Sequence, residues 1–339
     1  MPRLPHPSSS RRPIRRALAN CASLISAIGV LLSLVRFVDS AGSWIVPTLQ
    51  AGAPWAAGAA AAVAVGSVLL APRARIAWVC ALVSAANIGA ALILVAPAAS
   101  GAVAPGEAAT GAAAADRATV VSFNALYGNG DPAELLAEAQ ALDADVLLLL
   151  EADRDYVARL DAAGAAQRFP FRLVSDASGG AATAMLSATP LDEVELAPED
   201  EMRFASWAAD VRIGDEKVRV RAVHPVPPLD GRSEVWRDEI GTLDTWAAST
   251  TGPLVVAGDF NASAAHPAFR GLCAGPGALA GCGSIFAPPT WAPREWIPPV
   301  LPLDHVLTRE LAVLDRGAFR VSGSDHRAVW ATVAPAGQG

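Results

Sequence analysis

The sequence predicts an α/β (α+β) domain carried behind a membrane anchor, and three observations predict it. The first hundred residues hold three long stretches without a charged side chain. From residue 117 onward, short β-branched and apolar runs alternate with segments of helical period. Polar residues able to do chemistry stand where those apolar runs end.

The chain has 339 residues, enough for one large domain and an anchor. It is 53% hydrophobic with a mean hydropathy of +0.35, high for a soluble protein. Charge is divided along the chain. Residues 1–115 carry eight arginines against Asp39 and Glu107, a net of +6, so residues 116–339 carry −13 of the total −7. That acidic segment has one lysine, Lys217. Long nucleic acids are bound by neutralising phosphates with Lys and Arg, so this balance argues against such a partner.

The charge-free stretches are residues 17–35, 40–72 and 76–106, or 19, 33 and 31 residues. A bilayer core requires about 20 apolar residues of helix. The expected spans are 17–38, 52–72 and 76–97, with Trp44, Trp55 and Trp78 near their ends, where indole rings favour the interface. Five arginines precede the first span, and Arg73 and Arg75 fill the turn between the second and third. The positive-inside rule assigns residues 1–16 and that turn to the cytoplasm, which puts the following domain outside. A signal peptide ending near residue 42 is the alternative. Residues 98–115, rich in Ala, Gly, Ser and Pro, read as a linker, and residues 116–335 as the folded domain.

Each element of that domain has its own signal. Residues 119–124 form a β-branched strand ending in Asn124. Asp131 and Pro132 open a helix as N-cap and first residue. Residues 146–150 are a buried strand leading to Glu151, and 156–166 are helical. Strands follow at 182–187 and 206–213. Residues 217–224 alternate with period two and end in His224. A helix covers 232–249, and 254–261 is a buried strand ending in Asp259 and Asn261. Residues 303–307 contain Asp304, and Asp325 and His326 lie in the turn before a strand at 328–333. Buried carboxylates are costly unless paired or bound to metal. If these strands lie side by side, Asn124, Glu151, His224, Asp259, Asn261, Asp304, Asp325 and His326 converge on one rim. Such an oxygen-rich set favours Mg²⁺ or Mn²⁺ over zinc.

Other polar residues are read differently. His305 is expected to point away from the rim, and His266 and His6 to be solvated. Trp236, Arg237, Thr290 and Trp291 fit either packing or substrate contact. Cys273 and Cys282 bracket a Gly/Pro-rich loop that closes with little strain, and outside the cytoplasm they form a disulfide. Cys21 and Cys80 fall inside spans as small apolar residues.

The motifs Ser-Phe-Asn124, Leu-Glu151, Val-His224, Gly-Asp259-Phe-Asn261, Leu-Asp304-His305 and Ser-Asp325-His326 resemble, in this order, those of the endonuclease/exonuclease/phosphatase superfamily. The resemblance covers residues 118–333 and implies a four-layer sandwich: two packed, mostly antiparallel β-sheets flanked by helices. It also implies roles. Glu151 would be the principal ligand of a divalent metal, with Asn124 and Asp325 as further metal contacts. Asp259 would align or deprotonate water, Asn261 would hold a phosphate oxygen, and Asp304 would orient His326 against the phosphate. His224 would be a phosphate-contacting general acid. Two departures weaken a nuclease reading: Ala188 and Thr189 intervene between Ser187 and Pro190, and no lysine-rich DNA loop is present.

Three spans before an external phosphoesterase domain resemble the membrane phosphatases associated with vancomycin and teicoplanin resistance. That narrower resemblance implies a hydrolase of a phosphorylated lipid or lipid-linked pyrophosphate, with no obligate protein partner. The alternatives are an extracytoplasmic nuclease, a sphingomyelinase-like phosphodiesterase, or a non-catalytic resistance protein.

Overall fold

The computed structural model describes residues 11–39, 43–93, 116–294 and 296–336. The expected linker and His6 lie outside them. Three helices come first: α1 (Arg11–Leu34, continued by a 3-10 turn to Phe37), α2 (Ile45–Leu70) and α3 (Arg75–Ile93). Among the described residues two, not three, are long and apolar enough to cross a membrane: Ile14–Phe37 and Ile45–Leu70. The apolar part of α3, Arg75–Ala90, is shorter, and residues 94–97 of the expected third span lie outside the described residues. Helix α2 starts seven residues before the expected 52, because Pro47 falls in its first turn, where a missing N–H costs no helical bond.

The packing of these helices inverts that of a soluble bundle. Ala19, Ala53, Ala57, Ala60 and Ala64 are buried between them, whereas Leu24, Leu31, Leu69 and Leu82 point outward. Hydroxyl bonds cross the α1–α2 contact: Ser67 Oγ donates to Ala19 O (2.9 Å) and Ser26 Oγ to Ala60 O (2.9 Å). Small residues and hydroxyls between helices, with large apolar side chains outside, suit a lipid surround. Arg36 is also buried here, donating to Ser33 O (2.8 Å) and Asn87 Oδ1 (2.8 Å).

The remaining elements are β1 (Ala118–Asn124), α4 (Pro132–Ala141), β2 (Val146–Leu150), α5 (Arg154–Ala162), α6 (Ala165–Arg168), β3 (Phe171–Val174), β4 (Thr183–Ser187), β5 (Asp192–Leu196), β6 (Trp207–Ile213), β7 (Glu216–Val223), α7 (Ser233–Ser249), β8 (Leu254–Asp259), α8 (Pro267–Ala274), β9 (Asp304–Arg309), β10 (Leu311–Arg320) and β11 (Arg327–Pro335). They form two mixed sheets, ordered β10-β11-β1-β2-β4-β3 and β5-β6-β7-β8-β9. Each contains one parallel pair, β1/β2 and β7/β8, and is otherwise antiparallel.

Strand periodicity builds the layers. In β1 and β2, Val121, Phe123, Leu147 and Leu149 pack under α4 and α5. Their alternates Val120, Val146 and Leu148 face the other sheet. In β8, Leu254 and Val256 face α7 and α8, while Val255 and Ala257 face inward. Helix α4 is capped by Asp131, whose carboxylate accepts from Ala133 N and Glu134 N. Cys273 and Cys282 are joined as a disulfide beside α8.

The helical bundle and the sandwich are bonded together. Arg270 Nη2 donates to Arg36 O (2.8 Å), His266 Nε2 to Pro47 O (3.1 Å) and Trp55 Nε1 to Val300 O (3.0 Å). Arg237 pairs with Asp39.

Candidate active site

Strand register brings the site together. The parallel pair β1/β2 sets Asn124 against Leu150, so Glu151 emerges beside Asn124. The parallel pair β7/β8 sets Val223 against Gly258, so His224 emerges beside Asp259. Strand β9 runs antiparallel to β8 and starts with Asp304 opposite Asp259. Strand β11 runs antiparallel to β1, so the preceding turn delivers Asp325 and His326 to the same edge. Gly258 permits the close approach of β7 and β8: a Cβ there would lie 1.8 Å from Val223 O. Glu151 (φ 54°) and Asn261 (φ 48°) adopt the left-handed conformation, as do nearby Leu126 and Tyr127. Left-handed L-residues cost roughly 1–2 kcal/mol each, and such strain concentrates at functional sites.

The eight predicted side chains meet. Asn124 Nδ2 donates to Glu151 Oε1 and to Asp259 Oδ2, both at 3.1 Å, bridging the two sheets. Leu126 N donates to Asn124 Oδ1 (3.0 Å) and Tyr127 N to Glu151 Oε2 (2.9 Å). His224 Nε2 is 3.7 Å from Asp259 Oδ2 and 3.9 Å from Glu151 Oε1. His326 Nδ1 donates to Asp304 Oδ2 (2.9 Å), which leaves its Nε2 facing Asp259 Oδ2 at 3.6 Å and Asp325 Oδ1 at 3.9 Å. Asn261 N donates to Asp259 Oδ1 (2.8 Å), and Asn261 Nδ2 to Pro225 O (3.0 Å). An amide nitrogen carries two protons, so Asn261 keeps one for a ligand.

Burial and neighbouring charge tune these groups. Burial raises the Glu151 and Asp259 carboxyls; Asn124 opposes the effect at Glu151 and His326 opposes it at Asp259. Burial lowers His224 despite the pull of Asp259, which favours a neutral ring. His326 behaves oppositely. Burial would lower it, but Asp304, Asp259 and Asp325 outweigh burial and raise it to about 10, so its ring is an imidazolium at neutral pH. One edge thus holds a neutral histidine, a charged histidine and four carboxyl groups.

The family model for the Endonuclease/Exonuclease/phosphatase family matches residues 121–326, more than half of the chain and all eight site positions. The chain belongs to this family. Solved structures agree in fold. The endonuclease/exonuclease/phosphatase from Bacteroides vulgatus matches at TM-score 0.52 and 12% identity, over 65% of this chain and 99% of that one. The protein of that description from Beutenbergia cavernae matches at TM-score 0.50 and 18% identity, over 65% and 72%. A humanized D. rerio TDP2 matches at TM-score 0.51 and 15% identity, over 64% and 99%. A search of curated proteins finds no match to the chain.

Members of the endonuclease/exonuclease/phosphatase family are hydrolases of phosphate esters, typically dependent on a divalent metal, and the donor set here fits one. Among the described residues Asp259, Asp304 and His326 form a buried cluster whose side-chain N and O atoms lie within 4.8 Å of one another; with the His326 ring protonated, the carboxylates are the donors available to a cation. Asp304 Oδ1 and Asp325 Oδ1 are buried without a hydrogen-bond partner, unfilled acceptors that a hard cation would satisfy. Asn124 also struts the carboxylates, its Oδ1 accepting from Leu126 N, and Asp325 Oδ2 accepts from Trp291 Nε1 (3.0 Å).

Of the other polar residues, His266 departs from the sequence reading and His305 keeps the expected orientation. His266 is buried, not solvated: its Nδ1 accepts from Ser263 N (3.0 Å) and its Nε2 donates to Pro47 O. His305 points away from the rim, donating to Ala262 O (2.9 Å). Trp236 is a packing residue that donates to Phe260 O (3.1 Å), and Arg237 pairs with Asp39 on the bundle side. Thr290 and Trp291 support the site. Thr290 Oγ1 accepts from Asp304 N (3.1 Å), and Trp291 holds Asp325. Ser324, whose Oγ donates to Asn124 O (2.8 Å), was not singled out; its place before Asp325 and His326 was the available signal.

Proposed function

We propose that this protein is a membrane-anchored, divalent-metal-dependent phosphoesterase acting on a phosphorylated lipid or lipid-linked pyrophosphate at the outer face of the membrane. The observation that carries the reading is the bonding of the catalytic sandwich to the end of the apolar helices, through Arg270 to Arg36 O, His266 to Pro47 O and Arg237 to Asp39. A site tethered at a bilayer gains effective concentration for a membrane-borne substrate and none for a soluble polymer. The −13 charge of residues 116–339 supports the same class. Arginines at the α1 start and at the α2–α3 turn support a cytoplasmic N-terminus.

Each side chain has a task in this reading. Glu151 and neighbouring carboxylates would hold Mg²⁺ or Mn²⁺, which would offset charge on the phosphoryl oxygens. Asp259 accepts a proton from the attacking water and aligns it. The His326 imidazolium, oriented by Asp304, donates a charged hydrogen bond to the phosphoryl group. Asn261 contributes its free N–H. Neutral His224, beside Asp259 and Glu151, suits a phosphate contact better than a proton donor.

The test uses the full chain in lipid vesicles with Mg²⁺ or Mn²⁺. Phosphate release from undecaprenyl pyrophosphate is measured beside cleavage of double-stranded DNA, with Asp259→Ala as control. Metal-dependent release that the variant lacks, with DNA intact, is expected. Cleaved DNA and intact lipid would transfer the assignment to an extracytoplasmic nuclease.

A further inference from the structure

Residues 296–301, Trp-Ile-Pro-Pro-Val-Leu, are six consecutive apolar residues on a loop. The root of this loop is fixed to the active site. Val300 N donates to Trp291 O (2.7 Å) and Trp291 N to Leu301 O (2.9 Å), while Trp291 Nε1 donates to Asp325 Oδ2. Ile297 and Pro299 line the same small cavity as Asp325 and His326. The opposite side of the loop is open: Trp296 is 76% exposed, an unusual position for the largest apolar side chain.

The loop also reaches the helical bundle, where the Val300 carbonyl accepts from Trp55 of α2 (3.0 Å). The depth of that contact can be read from the helices. The charge-free run of α1, residues 17–35, is about 28 Å of helix, close to the thickness of a bilayer core. Its outer end therefore lies near Val35. Gln50 is level with that end, since its Nε2 donates to Val38 O (2.7 Å). Trp55 is five residues further along α2, about 7 Å nearer the bilayer centre. The Trp55–Val300 contact therefore lies inside the outer leaflet, about 7 Å below the head-group boundary on the acyl-chain side.

We propose that residues 296–301 form a membrane-seated wall of the active site. One side, Ile297 and Pro299, backs the turn that carries Asp325 and His326, and the other, Trp296, rests in the outer leaflet. The head group of a lipid is taken from the bilayer plane while its hydrocarbon chain stays along this loop, so the substrate need not leave the membrane. The substrate part of this inference rests on the lipid-phosphate reading above; the seating of the loop does not.

Two measurements on the full chain in vesicles test it. A nitroxide is attached through Trp296→Cys, with Cys21→Ser and Cys80→Ser removing the free thiols. Collision with oxygen should exceed collision with an aqueous nickel chelate, and the reverse should hold for a label at Asp200→Cys on an exposed turn. Equal nickel access at both positions would overturn the membrane seat. In the second, Trp296→Asp should lower the ratio of kcat/KM on vesicle-borne undecaprenyl pyrophosphate to kcat/KM on water-soluble isopentenyl pyrophosphate at least tenfold. An unchanged ratio would overturn the access role. A lipid-exposed label on a wild-type protein that leaves both pyrophosphates intact would remove the substrate assignment and keep the membrane seat.

Discussion

Acid should weaken this fold through two histidines outside the catalytic rim. His266 and His305 are buried, and burial lowers both to about 4 from an ordinary 6.5. The unfolded chain therefore takes up protons first as pH falls. Stability from these rings is complete above about pH 6.5 and is lost as the pH descends toward 4. At about 1.4 kcal/mol per pKa unit, each ring accounts for about 3 kcal/mol, of which about 2 kcal/mol is gone by pH 5. Two rings together approach the whole stability of an ordinary domain, about 5–15 kcal/mol. The structural reason is clear for His266: its Nδ1 accepts from Ser263 N, and a proton there breaks the bond. The assay is denaturant unfolding of the full chain in detergent at pH 7, 6 and 5, followed by circular dichroism. The His266→Gln/His305→Gln double variant is measured in parallel. Other titrating groups, including Glu239, which burial raises, contribute equally to both proteins and cancel in the difference. The wild type should lose about 4 kcal/mol relative to the double variant between pH 7 and pH 5. A difference that does not change with pH would refute the reasoning.

Three further predictions concern the rim. Gly258→Ala must part β7 from β8, because the neighbour 1.8 Å from the new Cβ is the Val223 backbone carbonyl. It should cost about 3 kcal/mol in thermal unfolding and about a hundredfold in kcat, and wild-type activity would contradict the close approach. Asp304→Asn removes the largest charge holding His326 protonated. Because the imidazolium is lost as pH rises through its pKa, the alkaline limb of kcat/KM should move to lower pH; an unmoved limb would detach His326 from the reaction. Chelation by EDTA should abolish hydrolysis reversibly, and Glu151→Gln should raise the Mn²⁺ concentration giving half activity about tenfold or more, as read by activity and calorimetric titration.

The site was largely legible from sequence because chemistry and periodicity mark the same places. An apolar strand ending in a carboxylate or histidine is improbable without a use for that group, and each of the eight residues occupies such an end. What the strands could not give was hydrogen-bond direction. The Asn124 amide, for example, bridges Glu151 and Asp259 as a donor, which no strand pattern reveals. Strands β3, β5 and β10 were missed because they lie at sheet edges, where charged residues such as Arg172, Asp192, Glu193, Asp315 and Arg316 hide the alternation. Helix α8 was missed because it is short. His266 was misread because its burial depends on Pro47, 219 residues away.

The interior between the sheets has a consequence for chemistry as well as for stability. The two halves of the rim belong to different sheets: Asn124, Glu151 and His326 to one, His224, Asp259 and Asp304 to the other. Their separation is therefore set by whatever fills the space behind them. That filling includes small side chains, with Ala209, Ala222, Ala257 and Ala331 meeting larger partners such as Val120 and Leu148. These alanines act as shims. A methyl group added at Ala257, two residues behind Asp259, would pry the sheets apart at the point where Asn124 spans them. Alteration of catalysis without touching any rim residue is thus built into the spacing of the core.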